Sequence, residues 1–97
     1  MPFQKQATQT LDAIADALEN TLGDASYSVD WAGEILTLED EHGKQYVLNK
    51  HAPTEQLWVS SPVSGAWHFV WQNDVWVSTR GEDTLNNILL KELHVKI

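Results

Sequence analysis

Ninety-seven residues, 42% of them hydrophobic, suffice for one domain with a single core and leave no room for a second. The chain has no cysteine, which excludes a disulfide framework, thiolate metal centres and a cysteine nucleophile. Its formal charge of −8 argues against phosphate backbones and anionic lipid as partners, and for cations or a basic protein surface.

From Thr8 to Leu22 the apolar residues Leu11, Ile14, Ala15, Leu18 and Leu22 recur at three- and four-residue steps, which predicts an amphipathic helix ended by Gly23. Tyr27, Val29 and Trp31 alternate with Ser28 and Asp30, so a strand follows with Asp30 outward. Ala32-Gly33 turns the chain into a second strand, Ile35 to Leu38, and Glu39 to Gly43 closes a hairpin into a third that begins near Lys44. A fourth strand runs from Gln56 to Ser60, a fifth from Ala66 to Trp71 and a sixth from Val75 to Ser78, with Gln72-Asn73-Asp74 as a turn. Thr84 is the expected N-cap of a closing helix carrying Leu85, Ile88, Leu89 and Leu93.

Helix, six strands, helix is an α+β pattern. It predicts a two-layer sandwich, with both terminal helices packed on one face of a mainly antiparallel sheet. Period-2 alternation sends Leu57, Val59, Trp67, Phe69 and Trp71 to the covered face. It sends Asn49, His51, Gln56, Trp58 and His68 to the open one. A tryptophan among Gln and Ser side chains exposes apolar area that folding alone does not require, which points to a docking surface.

The charge is uneven. Residues 1–41 carry nine acids against Lys5 alone, whereas the charges of residues 42–97 cancel. At about 100° per residue, Asp12, Asp16 and Glu19 fall in one narrow arc of the first helix, an acidic ridge. Carboxylates without thiolates suit hard, oxygen-seeking cations such as Ca²⁺, Mg²⁺, Mn²⁺ and iron, held loosely with water completing the shell. The bland reading is a solubilising helix face. His42, beside three carboxylates, reads as a solvated hairpin tip, and His51 with His68 makes a weak metal pair without a third ligand. There is no Gly-x-Ser-x-Gly elbow, P-loop or dinucleotide-binding glycine motif. No stretch is apolar for long enough to span a bilayer, and no signal or transit pattern is seen. The protein is therefore expected in its compartment of synthesis, unless a presequence has been removed.

Tyr46-Val47-Leu48-Asn49-Lys50, Pro53, Gln56-Leu57-Trp58-Val59-Ser60-Ser61-Pro62, Ser64-Gly65, His68-Phe69 and Trp76 together resemble the frataxin family over the whole chain, residues 1–97 as one domain. The resemblance implies the same two-helix sandwich and weak binding of iron, Fe²⁺ or Fe³⁺, at ridge acids that correspond to Asp12, Asp16, Glu19, Asp24 and Asp30. It also implies a monomer that docks, through Asn49, His51, Gln56, Trp58 and His68, on a cysteine desulfurase and an iron–sulfur scaffold protein. The implied function is regulation of cluster assembly, with donation of iron to the scaffold. The alternatives are a ferroxidase and an iron-independent acidic adaptor. Asn20 and Ser28 stand where many relatives have acids, and the Ser-Ser-Pro turn resembles the mitochondrial and alphaproteobacterial branch. The implied location is a bacterial cytoplasm, or a mitochondrial matrix if a presequence was lost.

Overall fold

The computed structural model describes residues 3–22, 27–81 and 83–95. A helix, α1 (Phe3–Leu22), precedes six strands, β1 (Tyr27–Trp31), β2 (Ile35–Asp40), β3 (Gln45–His51), β4 (Gln56–Ser61), β5 (Gly65–Gln72) and β6 (Val75–Ser78), and a closing helix, α2 (Leu85–Leu93). The strands lie in the sheet in chain order, each antiparallel to the next. The expected α+β architecture is the one observed.

Alternation decides which side each residue takes. Leu36 and Leu38 of β2, Tyr46 and Leu48 of β3, Leu57 and Val59 of β4, Trp67 and Phe69 of β5 and Trp76 of β6 are buried. They form one cluster with Leu11, Ile14, Ala15 and Leu18 of α1 and with Leu85, Ile88, Leu89 and Leu93 of α2. Both helices thus cover the same face. The other face carries Asp30, Thr37, Val47, Asn49, Trp58 and His68, none of them fully buried.

The ends of the elements depart from the sequence expectation for local reasons. Helix α1 begins at Phe3 rather than near Thr8, because Phe3 and Ala7 extend the apolar stripe by two more steps. Phe3 meets Trp76 edge-on, with ring centroids 6.2 Å apart. The Gly23 stop lies outside the described residues. Strand β2 continues to Asp40, which pairs with Tyr27. The Asp40 carboxylate accepts the backbone N–H groups of His42 and Lys44, each at 2.9 Å, and closes the hairpin. A single 3₁₀ turn, Ala52–Thr54, occupies the Pro53 segment. Between β5 and β6, Asn73 and Asp74 both adopt positive φ, the conformation that a two-residue hairpin requires. Trp71 sits at the rim of the core and is half-buried rather than interior. Thr84 caps α2 as expected, its hydroxyl accepting the N–H of Asn87 at 3.2 Å.

Candidate functional site

The open sheet face is assembled by register. Ile35 lies beside Asn49, Asn49 beside Trp58 and Trp58 beside His68, while His51 lies beside Gln56. Residues two apart on one strand share a face, so His51 becomes the diagonal neighbour of Trp58 and His68 its direct one. The Trp58 indole lies flat between the two imidazoles. Its ring centroid is 3.7 Å from His51 at 12° and 4.5 Å from His68 at 14°. The indole Nε1–H donates to Gln56 Oε1 at 2.8 Å, and His51 Nδ1 lies 2.7 Å from Thr54 Oγ1 at the 3₁₀ turn. Beside the stack a shallow hollow of 170 Å³ is lined by Val47, Asn49, Ser60 and Ala66.

All five residues that sequence alternation placed on this face are therefore found there together. The stacking itself was not foreseen. His51 and His68 do not meet, because the indole fills the space between them. Ile35, 42% exposed at the head of the same row, was overlooked as a surface residue. Its parity with the outward Thr37 was the available signal.

The acidic ridge is more dispersed. Asp12, Asp16 and Glu19 are exposed on α1, where spacings of four and three residues make neighbouring pairs. Asp12 Oδ1 accepts the indole Nε1–H of Trp31 at 2.5 Å, which ties the ridge to β1. Asp30 is exposed on the face of β1 turned away from the helices, and Asp24 lies outside the described residues. Among the described residues no three His, Asp or Glu side chains converge as a metal cluster. At the β2–β3 hairpin, the backbone N–H of Lys44 is the main cause that holds the Asp40 carboxyl below its usual range. His42 Nε2 lies 3.5 Å from Glu41, on the exposed tip.

One partly buried polar network was not visible in the sequence. Glu92 of α2 accepts hydrogen bonds from Tyr46 Oη at 2.9 Å and Ser61 Oγ at 2.6 Å on Oε1, and from Ser64 Oγ at 2.5 Å on Oε2. Ser61 Oγ in turn accepts the N–H groups of Val63 and Ser64, and Trp67 Nε1–H donates to Ser64 Oγ. The Arg80 guanidinium stacks on the Trp67 ring at 3.8 Å. Burial alone would raise the Glu92 carboxyl, but the hydroxyls of Ser61, Ser64 and Tyr46 outweigh it and hold it below its usual value. Burial, with the hydrogen bond to Glu92, pushes the Tyr46 phenol up to about 12. The network pins the Ser-Ser-Pro turn to α2.

Chemically, the open face offers stacked rings and amides, and the ridge offers solvated carboxylate pairs. The first suits a protein surface, the second a hard cation at low affinity.

The family model of the frataxin-like domain matches residues 1–97. The chain is 37% identical to the mitochondrial frataxin homolog of Schizosaccharomyces pombe, over 95% of this chain and 61% of that protein, so it spans less than two-thirds of that relative. It is 28% identical to the iron-sulfur cluster assembly protein CyaY of Neisseria meningitidis, over 96% of this chain and 88% of that protein. Among solved structures, the trimeric frataxin of Saccharomyces cerevisiae, complexed with ferrous, superposes with a TM-score of 0.79. The two share 34% identity over 92% of this chain and 82% of that one.

Proposed function

The chain belongs to the frataxin-like domain family, and from that membership we propose that it is an iron-binding accessory protein of iron–sulfur cluster assembly. In this reading the open sheet face docks on a cysteine desulfurase and its scaffold protein, through Asn49, His51, Gln56, Trp58 and His68. The ridge acids Asp12, Asp16, Glu19, Asp24 and Asp30 carry iron as cargo, loosely and with water in the remaining positions. The observation that carries the docking half is the gathering of Asn49, Gln56, Trp58 and both imidazoles on one uncovered face. Docking modulates the desulfurase, and the ridge places iron near the scaffold. An iron-independent adaptor is the second reading, favoured by the Asp12 carboxylate already accepting the Trp31 indole N–H.

Two measurements separate these readings. Titration with Fe²⁺ should show weak binding by the wild-type chain, reduced at least severalfold in the Asp12→Asn, Asp16→Asn, Glu19→Gln variant. Equal binding by the variant removes the ridge as carrier. A desulfurase assay with purified enzyme and scaffold should then change on adding the chain, and the Trp58→Ala variant should lose the effect. If turnover responds equally with and without iron but the ridge variant loses the response, the adaptor reading holds; an equal response by the ridge variant discounts it.

A further inference from the structure

Both faces of the Trp58 indole are covered, by His51 at 3.7 Å and His68 at 4.5 Å between ring centroids, and its N–H is engaged by Gln56. A partner therefore finds no free ring face to stack on, and further apolar contact has to come from the ground beside the stack. Register decides what stands there. The row Asn49–Trp58–His68 crosses β3, β4 and β5, and one step nearer the Ser-Ser-Pro turn runs the row Val47–Ser60–Ala66. Both rows point to the open face, because residues two apart on a strand share a side. The first row carries an amide and two rings, whereas the second ends in two of the shortest side chains, a hydroxymethyl and a methyl. The face thus drops by a step from Trp58 and His68 to Ser60 and Ala66, and the 170 Å³ hollow lies at its foot. Ser60, Ala66 and His68 are exposed, so the hollow opens directly to solvent.

Resting on the docking reading above, we propose that this hollow receives one uncharged aliphatic side chain of the desulfurase–scaffold complex, with the edge of the Trp58 ring as its wall. Three observations select that occupant. No Asp, Glu, Lys or Arg lines the hollow, in a chain where 21% of residues are charged, so nothing there compensates a charged group taken out of water. The volume is below the roughly 300–1,000 Å³ of small-molecule sites, so the hollow holds a side chain rather than a metabolite. Apolar carbon forms most of its lining, chiefly from Val47, Ala66 and Trp58. A branched aliphatic group gives up no hydrogen bond on entering, and the removal of its surface from water drives the contact. The two surfaces then interlock in both directions. The stacked rings stand out from the sheet toward the partner, and a partner side chain enters beside them. Ser60 and Ala66 determine specificity in this arrangement, because their shortness is what the partner reads.

The test fills the hollow without touching the stack. Ala66 is exposed, so Ala66→Leu adds apolar bulk at the foot of the step and should leave the melting temperature within a few degrees of the wild type. Calorimetric affinity for the purified desulfurase–scaffold complex should nevertheless fall about tenfold or more. Ser60→Asp places a carboxylate in the hollow and should weaken binding severalfold. Tighter binding by that variant would reveal a basic occupant and overturn the proposal. Ser60→Ala keeps the hollow open and should bind like the wild type, whereas a loss there assigns the contact to the hydroxyl and overturns the aliphatic occupant. The Trp58→Ala variant tells this proposal apart from the reading beneath it. If Trp58→Ala loses affinity while Ala66→Leu and Ser60→Asp bind as the wild type does, the row docks without the hollow and only the proposal falls. If Trp58→Ala binds like the wild type, the docking reading itself fails and takes the hollow with it.

Discussion

A half-exposed aromatic and a buried one make different contributions, and Trp58 and Phe69 show the contrast on neighbouring strands. Trp58 rests between two imidazoles, so Trp58→Ala should cost about 1–2 kcal/mol of stability, the worth of its stacking contacts. Its removal should cost ~2 kcal/mol or more of binding to the desulfurase–scaffold complex. Phe69 is fully buried, and Phe69→Ala should cost about 3–5 kcal/mol of stability in urea denaturation. Trp71, expected from alternation to serve as the core residue, is half-buried at the rim, so Phe69 is the better internal standard. Glu92 supplies a second test at this scale. Its carboxyl titrates below the usual 4.5, so its contribution to stability is present above that pH and is lost as pH falls through and beneath it. Tyr46 works in the opposite sense. Its phenol is raised from 10.0 to about 12, so its contribution is present below pH 10 and is lost as pH rises between those values. Denaturation at acid, neutral and alkaline pH should show both losses in the wild type. Glu92→Gln should flatten the acid limb and Tyr46→Phe the alkaline one.

At the scale of the element, the helices are held by what they cover. Helix α1 places acids four and three residues apart on its exposed side, a spacing that disfavours an isolated helix. Its stability comes from Phe3, Ala7, Leu11, Ile14, Ala15 and Leu18 against the sheet. Phe3 belongs to that stripe although a run of Gln and Lys follows it, and only its edge-on contact with Trp76 on β6 reveals why the helix starts so early. Phe3→Ala should therefore lower stability by about 3 kcal/mol, a loss that thermal unfolding would register. A helix beginning at Thr8 would leave it nearly unchanged. The strands were easier to read. Alternation needs only local sequence, and one wrong step would have turned Trp58 inward. Asn49, Trp58 and His68 fall in one row because each hairpin preserves that parity.

For the whole molecule, the uneven charge is the property with the widest consequences. The acids crowd into the first two-fifths of the chain, and their repulsion opposes the compact state at low salt. Raising ionic strength from about 0.01 to about 0.15 M shortens the screening length from about 30 to about 8 Å. The melting temperature should rise by a few degrees, and by less in the Asp12→Asn, Asp16→Asn, Glu19→Gln variant. A salt response unchanged by that substitution would show that the ridge does not dominate the repulsion. What the sequence by itself determined was the α+β architecture, the covered and open faces of the sheet, and the placement of Asn49, His51, Gln56, Trp58 and His68 on the open one. These follow from periodicities of two and of three to four residues, which are local. The tertiary structure alone decided that two histidines enclose the indole, that Asp12 of α1 accepts the indole N–H of Trp31, and that Glu92 gathers Tyr46, Ser61 and Ser64. Each of those contacts joins residues on different elements or sets the angle between them. Such contacts depend on how the layers close over one another, and no pattern along the chain encodes that closure.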